Sequence, residues 1–377
     1  MLVTSGIWAL FVALTITFPI RRGPMGFAVY VATMACNEIP FVLLLVFAAS
    51  IVAVGASDDS VSGASLASAI VLIVLVAAGM LWLQLRVLAV PPALTAALAG
   101  QLGPTWRGNR LASTGSRRAW PLGILMPFQR RIRGVWRQRN IPYGPGAAHL
   151  LDLYERRDGT ASGPVLVHFH GGGFVQGGKS REGVALLNQL ADHGWLCVSA
   201  NYRLRGAGAF PNSLVDAKRA IVWARTRATE TGCTDTRVFL VGDSAGAHLA
   251  VSAALASNDP ILQPGFEHAD TEVAGAVSLY GYLGARSADP RSALANLARA
   301  DAPPLFLIHG AADTALPPGH ARAVAAALQE PSTNPVVYAE LPATQHGFDL
   351  FASVRARLVA DAVEDFLIWC RSRSGGS

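Results

Sequence analysis

The sequence predicts an α/β protein whose mostly parallel sheet is covered by helices on both faces, preceded by apolar helices that cross a membrane. Two observations lead to this prediction. From about His149 onward, short apolar runs alternate with longer amphipathic runs, as strands alternate with helices. Before residue 90, the 377-residue chain carries almost no charge over segments close to the length that spans a bilayer. We therefore divide the chain into a membrane region at 1–90, a basic linker or cap at 91–147, and an α/β domain at 148–377.

The charged residues are distributed unevenly along the chain. Overall the sequence is 51% apolar and 15% charged, against roughly 25% charged residues in an average soluble protein. Residues 1–90 hold only three acidic and three basic side chains, which are Glu38, Asp58, Asp59, Arg21, Arg22 and Arg86. This composition is typical of a membrane region rather than of a soluble domain.

Three apolar segments can be drawn in that region: Leu2–Ile20, Phe27–Gly55 and Ala64–Leu85. A spanning helix needs about 20 apolar residues, so the third segment fits cleanly and the first narrowly. The second is too long for one simple span, and Pro40 should kink or break it. Glu38 is expected at an interfacial position near a helix end, because charges inside the bilayer are rare. We predict two or three spans.

The basic residues follow the apolar region. Between Ser60 and Leu151 there is no acidic residue, but there are ten arginines: Arg86, Arg107, Arg110, Arg117, Arg118, Arg130, Arg131, Arg133, Arg137 and Arg139. A basic block next to an apolar one indicates contact with anionic lipids rather than with nucleic acid.

The same charges predict the orientation in the membrane. The loop with Arg21 and Arg22 is basic, and the loop with Asp58 and Asp59 is acidic. The positive-inside rule then places the α/β domain in the cytoplasm. The four cysteines, Cys36, Cys197, Cys233 and Cys370, show no regular spacing and are expected to be free thiols, which fits a reducing compartment.

The α/β domain is predicted to contain seven strands and five helices. The strands are the runs HLLDLY, VLVHF, LCVSANY, VFLVG, VAGAVSLY, PLFLIHG and VVYAEL, which begin at residues 149, 165, 196, 238, 273, 304 and 336. The helices are expected at about Arg181–His193, Asn212–Thr229, Gly246–Ala256, Pro318–Leu328 and Phe348–Arg371. No internal repeat is visible.

A candidate nucleophile lies in the run VFLVGDSAGAHLA, which contains the G-x-S-x-G pattern at residues 242–246. The pattern alone is weak, but here an apolar strand leads into it and an alanine-rich helix follows it. On such a strand–turn–helix, Ser244 is held in a strained conformation and its oxygen projects beyond the end of the strand. The helix N-terminus favours negative charge that develops there.

A serine hydroxyl needs a base to become a good nucleophile, and the chain offers a base and an acid. His346 follows the predicted strand VVYAEL, and Asp313 follows the strand PLFLIHG. Both should emerge on the same edge of the sheet as Ser244. In this arrangement Ser244 attacks, His346 takes and returns the proton, and Asp313 orients the imidazole and stabilises its charge.

The run VLVHFHGGGFVQGG, beginning at Val165, places three consecutive glycines after a predicted strand. Bare backbone N–H groups of this kind can donate to an oxyanion, since no side chain blocks the approach. Phe174, the next residue, is expected to contact the substrate. The candidate oxyanion-hole residues are Gly171, Gly172, Gly173 and Ala245, with Gly172 and Gly173 the favoured pair from the glycine run.

The HGGG run at 170–173, together with GDSAG at 242–246, resembles the hormone-sensitive-lipase-like branch of the α/β-hydrolases. The resemblance extends through SANYRL, DAKRAIVWAR and HGAADTALP and covers roughly His149–Arg371. It is nearest to actinobacterial membrane-anchored esterases and prenylcysteine-methylesterase-like enzymes. It implies an α/β-hydrolase catalytic domain that hydrolyses carboxylic esters without a metal or organic cofactor. Separately, the membrane anchor and the arginine-rich stretch that follows it favour a lipid or lipidated ester as the substrate.

Little chain separates the predicted strands after Ser244, so any cap over the site must come from Pro91–Gly146 or from the bilayer itself. The same triad could serve an amidase or arylformamidase, which the residues do not exclude. A non-enzymatic receptor of the same fold is disfavoured because His346 is present.

Several other polar residues invite alternative interpretations. His168 and His170 form an H-x-H pair, but no further histidine cluster supports a metal site. We expect His168 to be a core residue and His170 to organise the glycine loop. The remaining acidic candidates are assigned elsewhere: Asp243 points away from the nucleophile, Asp349 starts the last helix and Glu340 lies within a strand.

Overall fold

The computed structural model describes residues 2–17, 23–56, 63–107, 114–159 and 163–373, without the side chains of residues 17, 23–28, 55–56, 63–65 and 114–118. Arg21, Arg22, Asp58, Asp59 and Arg110, which contribute to the predicted orientation and lipid contact, lie outside the described residues.

A single eight-stranded sheet forms the centre of the fold. Its strands are β1 (Val135–Pro142), β2 (Leu150–Arg156), β3 (Val165–Phe169), β4 (Leu196–Ala200), β5 (Val238–Asp243), β6 (Gly275–Leu279), β7 (Leu305–Gly310) and β8 (Val336–Leu341). The strand order is β1-β2-β4-β3-β5-β6-β7-β8, and only the β1–β2 and β2–β4 pairs are antiparallel. The seven predicted strands and the mostly parallel sheet are confirmed.

The first strand, β1, was not predicted and lies inside the stretch 91–147 that we assigned to a linker or cap. The sheet therefore begins at Val135, ahead of the predicted domain boundary. β1 is an edge strand, and of its eight residues only Val135 is buried. An edge strand with so little buried surface carries no alternating apolar pattern, which is why the sequence did not reveal it.

Helices cover both faces of the sheet, as predicted. The helices are α1 (Leu2–Thr17), α2 (Gly23–Glu38), α3 (Pro40–Ala56), α4 (Gly63–Leu85), α5 (Val90–Leu102), α6 (Thr114–Leu125), α7 (Val184–Asp192), α8 (Asn212–Glu230), α9 (Ala245–Leu255), α10 (Pro318–Gln329) and α11 (Val354–Arg373). Helices α8, α9 and α10 pack on one face, and α5, α7 and α11 pack on the other. The two apolar layers enclose the parallel strands β3 to β7, whose residues are all buried, as is usual for parallel strands inside an α/β sheet.

The sequence suggested that the third apolar segment ends just before Arg86, but in the structure the helix continues past that residue. The chain runs from Leu66 to Leu102 as one helical rod, in which a short 3₁₀ turn joins α4 to α5. The α5 part buries Val90, Leu94 and Leu98 in the core of the α/β domain. The apolar region is thereby connected to the domain by a packed helix instead of a loose linker.

By length and composition, one helix of the described residues can cross a membrane, namely Leu66–Leu102. The pair Val29–Glu38 and Pro40–Val54 would count as a second span only if the two pieces act together, because they are bent by 103°. The break at Pro40 was predicted. The first segment is a shorter apolar helix over Leu2–Ile16.

Glu38 is the last residue of α2, as expected of a charge near a helix end. It is not at a solvated interface, however. Its side chain is fully buried and forms an ion pair with Arg355 of α11. The reason is tertiary contact, because the broken end of α2 docks against the α/β domain, where a buried carboxylate finds a cationic partner.

The arginines of the basic block have different surroundings. Arg107 pairs with Asp365 at 3.3 Å, and Arg137 pairs with Asp152 at 2.5 Å. Arg130, Arg131 and Arg139 line a groove along β1 whose volume is about 250 Å³. The four cysteines are buried and form no disulfide bond, as predicted: Cys36, Cys197, Cys233 and Cys370.

Asp361, buried on α11, is expected to make the stability of the fold depend on pH. Its Oδ1 accepts a hydrogen bond of 2.9 Å from Gln189 of α7. Burial and the nearby charge of Glu364 raise the pKa of Asp361 to about 7, although the bond from Gln189 opposes the shift. A carboxyl whose folded pKa is raised contributes full stability below its unfolded pKa of about 4 and loses it as the pH rises through 7.

We therefore expect Asp361→Asn to stabilise the protein near pH 8 by about 2–4 kcal/mol, and to have little effect near pH 4, since each of the roughly three pKa units between the unfolded and folded values is worth about 1.4 kcal/mol. Thermal unfolding in detergent at several pH values measures the difference. Glu230→Gln, which changes an exposed carboxylate at the end of α8, is the matched control. A difference between Asp361→Asn and wild type that does not grow between pH 4 and 7 would contradict the assignment.

Candidate active site

Ser244 stands in the turn between β5 and α9. Its backbone has φ 53° and ψ −110°, a strained conformation for a residue with a side chain. The Ser244 N–H donates to the carbonyl of Leu279 at 2.9 Å, and its own carbonyl accepts from the N–H of Tyr282 at 3.1 Å. Backbone bonds to the end of β6 and to the segment that follows it thus hold the strained turn in place.

The two glycines of the G-x-S-x-G pattern are required by close packing. A Cβ on Gly246 would lie 2.0 Å from the carbonyl oxygen of Phe169, and a Cβ on Gly242 would lie 2.2 Å from that of Gly246. Both distances are far inside van der Waals contact, and backbone atoms cannot give way cheaply. Glycine at these positions lets the turn approach the end of β3.

The structure brings together Ser244, His346 and Asp313. The Ser244 Oγ lies 3.0 Å from Nε2 of His346, and Nδ1 of the same ring lies 2.7 Å from Oδ2 of Asp313. Asp313 and His346 occupy the loops after β7 and β8, whose carboxyl ends are level in the sheet. Ser244 is partly exposed, whereas the side chain of Asp313 is fully buried.

Asp313 is held in its charged form. Burial alone would raise the pKa of its carboxyl. The charge of His346 and hydrogen bonds from His309 and His346 outweigh burial and lower the pKa to about 2. Its second oxygen, Oδ1, accepts from the backbone N–H of Leu316 at 2.7 Å. The carboxylate is therefore available to orient and charge-stabilise an imidazole across the neutral pH range.

The glycine run forms a tight turn beside Ser244. Gly172 and Gly173 have φ 120° and 62°, and a Cβ on Gly172 would lie 1.9 Å from the carbonyl oxygen of Gln176. Gly171 packs against the nucleophile turn, since a Cβ there would lie 3.1 Å from that of Ser244. Within the described part of the chain, no protein acceptor takes a hydrogen bond from the N–H of Gly172, Gly173 or Ala245.

A cavity of about 510 Å³ opens above Ser244 and His346, and its remaining lining residues are Gly173, Phe174, Ala245, Tyr282, Ala285, Arg286, Ala315 and Leu316. The Arg286 guanidinium lies 3.4 Å from the centroid of the Phe174 ring, and burial lowers the pKa of Arg286 to about 10. None of the described residues of 91–147 lines this cavity, so that stretch, which the sequence left open as a linker or a cap, contributes nothing to the cavity wall.

Beneath Ser244 lies a buried polar cluster. His168 contacts Ser199 through Nδ1 at 2.7 Å and Asp243 through Nε2 at 2.5 Å. Burial lowers the pKa of His168 to about 4, whereas burial and the charge of Asp349 raise the pKa of Asp243 well above its usual range. His168 is thus a satisfied core residue, as predicted. His170 stacks on Tyr202 with ring centroids 4.5 Å apart.

Asp349 does not start the last helix, contrary to the sequence-based assignment. It lies ahead of α11, which begins at Val354, and is buried. Its Oδ2 accepts from the N–H of Gly183 at 2.9 Å, and its Oδ1 accepts from the hydroxyl of Tyr280. Long-range packing decides its role, which local capping patterns could not indicate. Glu340 lies within β8 as expected and pairs with Arg322.

Sequence reasoning missed several residues around the imidazole. Tyr280 meets the His346 ring edge-on at 4.7 Å, and His309 lies 3.2 Å from Asp313. The side-chain oxygen of Gln345, Oε1, accepts hydrogen bonds from the backbone N–H groups of Thr314 and His346. In the sequence, the one signal for Tyr280, His309 and Gln345 is that each lies near the end of a strand. Many other loop residues share that position, so it does not identify these three. In the described ranges, no three histidine, cysteine or acidic side chains are grouped to hold a metal.

Comparison with known proteins identifies the family. Residues 151–290 match the protein-family model described as BD-FAE. The chain is 37% identical over 310 residues to the esterase LipQ of Mycobacterium tuberculosis, covering 73% of each protein. Shorter matches are found to isoprenylcysteine alpha-carbonyl methylesterase of Arabidopsis thaliana (31% identity; 34% of this chain, 29% of that protein) and to human hormone-sensitive lipase (36% identity; 28% and 10%).

Among solved structures, esterase 2 of Thermogutta terrifontis has the same fold, with a TM-score of 0.54 and 23% identity over 63% of this chain and 95% of that chain. The architecture is therefore that of the α/β-hydrolases. The chain belongs to the hormone-sensitive-lipase-like esterase family and is a carboxylic-ester hydrolase.

Proposed function

We propose that the protein is a serine carboxylesterase or lipase that acts through a triad of Ser244, His346 and Asp313. The observation that carries the proposal is the unbroken chain of contacts, 3.0 Å from Ser244 Oγ to His346 Nε2 and 2.7 Å from His346 Nδ1 to Asp313 Oδ2. A base that contacts both the nucleophile and a buried carboxylate has the geometry that activates a hydroxyl.

In the proposed mechanism, Ser244 Oγ attacks the ester carbonyl carbon while Nε2 of His346 takes the hydroxyl proton. The charged imidazole is stabilised by Asp313. The tetrahedral intermediate then collapses, the C–O bond to the alcohol breaks, and the alcohol leaves with the proton from His346. Water, activated by the same imidazole, releases the acid from the acyl-enzyme and restores Ser244.

We assign the oxyanion hole to the N–H groups of Gly172, Gly173 and Ala245. Support comes from their unused donors beside Ser244 and from the position of Ala245 as the first residue of α9, where the helix dipole favours negative charge. Each such donor is typically worth about 2.7–4 kcal/mol of transition-state stabilisation. Gly171 supports the turn, and Phe174, which lines the cavity, contacts the substrate.

We further propose that residues 1–90 anchor the enzyme in a membrane as two or three spans and that its substrate is a lipid or lipidated ester. Apolar side chains are exposed along α1, α3 and α4, such as Ile7, Leu45 and Val74. Arg130, Arg131 and Arg139 leave a basic groove for anionic lipid. The partial match to a prenylcysteine methylesterase is consistent with a lipidated substrate.

Labelling with a fluorophosphonate probe tests the chemistry. Mass spectrometry of the labelled protein should find the adduct on Ser244, and a chelator should not lower the activity. A series of p-nitrophenyl esters of increasing acyl length, with and without anionic liposomes, tests the substrate class. Preference for acetyl esters with no effect of liposomes would argue against a lipid substrate, and faster cleavage of matched anilides or formamides would favour the amidase alternative.

The proposed orientation has its own test. Because the basic residues from Arg86 to Arg139 follow the apolar region, the catalytic domain is expected to face the cytoplasm. Green fluorescent protein fused after Ser377 should fluoresce, whereas alkaline phosphatase at the same place should be inactive. The opposite pattern would place the active site outside the cell.

A further inference from the structure

Helix α2 of the apolar region contacts the loop that carries His346. The ring of Tyr30 meets the imidazole of His346 edge-on, with centroids 5.9 Å apart. One turn further along the helix, the Thr33 hydroxyl accepts a hydrogen bond of 3.1 Å from Nε2 of Gln345. Successive turns of α2 therefore touch successive residues of the histidine loop.

The carboxamide of Gln345 is the centre of this contact. Its Oε1 accepts from the backbone N–H of Thr314 at 2.7 Å and of His346 at 3.0 Å. Its Nε2 donates to the hydroxyls of Thr314, at 2.9 Å, and Thr33. A carboxamide has two donors and an oxygen that accepts two bonds, so this buried group is fully used. It joins the loop of Asp313, the loop of His346 and α2.

The packing beside the imidazole is also close. Gly347 has φ 68°, and a Cβ there would lie 2.9 Å from the hydroxyl oxygen of Tyr30. A side chain at this position would therefore push α2 away from the histidine loop or strain the loop itself. The two segments are complementary in shape as well as joined by a hydrogen bond.

A second contact fixes the end of α2. Glu38 accepts a hydrogen bond of 2.7 Å from the hydroxyl of Ser353 and is paired with Arg355, and the side chains of Glu38 and Arg355 are fully buried. A guanidinium nitrogen of Arg355 also lies 3.4 Å from the carbonyl oxygen of Asn37. Since a buried charge is strongly unfavourable without its partner, this pair keeps α2 seated at the start of α11.

We propose that α2 is a positioning element of the active site, and that Thr33, acting through Gln345, holds the His346 loop in register with the Asp313 loop. The inference rests on the triad proposed above. An imidazole that must contact Ser244 and Asp313 together reacts faster when its loop is ordered beforehand, because misplacement of catalytic groups is costly in rate. The apolar region would then complete the catalytic site in addition to anchoring the chain.

Substitution of Thr33 in the full-length protein in detergent tests the proposal. Thr33→Val removes the hydroxyl and keeps the shape, whereas Thr33→Ser keeps the hydroxyl. With a p-nitrophenyl ester, Thr33→Val is expected to lower kcat per active site by about 3- to 10-fold, the rate equivalent of one ordinary hydrogen bond, with KM little changed. Thr33→Ser should restore the wild-type kcat. Active sites are counted by fluorophosphonate titration, so misfolded protein is excluded.

Ser50→Ala is the matched control, because it removes a hydroxyl of α3 that bonds only within its own helix among the contacts described, to the carbonyl of Phe47. Its kcat should equal that of wild type. In a Gln345→Leu background, Thr33→Val should have no further effect on kcat. Wild-type kcat for Thr33→Val, or equal losses for the valine and serine variants, would overturn the inference and leave the triad intact. Failure of the wild type to be labelled on Ser244 would instead reject the triad.

Discussion

Replacing Ser244 with alanine is expected to abolish labelling by a fluorophosphonate and to lower kcat for p-nitrophenyl esters by about 10⁶, the scale seen when a hydrolase loses its nucleophile. The hydroxyl oxygen is the atom that forms the acyl-enzyme, and no neighbouring side chain of the triad can replace it. The fold should survive, because alanine retains the Cβ and the backbone bonds to Leu279 and Tyr282 remain. Residual activity would come from the oxyanion hole and substrate binding.

The measurement needs a serine outside the site for comparison. Ser257, beyond the end of α9, accepts a hydrogen bond from Arg299 and lies outside the cavity above Ser244. Ser257→Ala should be labelled and should hydrolyse ester as wild type does. If Ser244→Ala is labelled as strongly as wild type, the nucleophile has been assigned to the wrong residue.

Asp313→Asn is expected to lower kcat by about 10⁴ with little change in KM, because an amide at this position favours the wrong imidazole tautomer and cannot stabilise its charge. The native carboxyl, with a pKa of about 2, is ionised at every pH at which the enzyme would be assayed. Within the assay range, a change of pH therefore does not neutralise Asp313 in the wild-type enzyme, and the loss measured for the variant reports the substitution itself. Stopped-flow or steady-state kinetics at pH 7 and 9 would measure the loss.

Asp349 provides the comparison for Asp313, since it is the rival carboxylate near the imidazole. Its oxygens accept from Gly183 and Tyr280 and do not contact His346. Asp349→Asn keeps the shape of the side chain and should change kcat by less than roughly tenfold, the equivalent of one hydrogen bond. A large loss for Asp349→Asn together with a mild effect of Asp313→Asn would exchange the two assignments.

The parts of the protein that could be predicted are those encoded by local pattern. The strands β2 to β8 are short apolar runs bounded by turn residues, and each was recognised. Ser244, Asp313 and His346 each follow such a run, and parallel strands bring their carboxyl ends to one edge. Their proximity could therefore be expected before any distance was known.

The parts that escaped prediction depend on contacts between distant segments. β1 buries too little surface to show a pattern, and Asp349 was assigned to a helix start although its partners are Gly183 and Tyr280. Glu38 was placed at an interface because charges inside the bilayer are rare. Its actual partner, Arg355, is more than 300 residues away along the chain.

Local patterns in the chain indicated the fold class and the three residues of the candidate triad, because strand periodicity and motif spacing are local properties. The resemblance of the HGGG and GDSAG motifs to known hydrolases indicated the ester-hydrolase family. In contrast, two features became known from the folded chain alone: α5 continues the apolar helix into the hydrolase core, and α2 packs on the loop of His346. Those contacts arise when buried polar groups such as Gln345 and Glu38 must find partners wherever the folded chain supplies them. Such hydrogen bonds between distant segments leave no periodic pattern in the sequence. They can therefore be identified only once the packing of the segments is known.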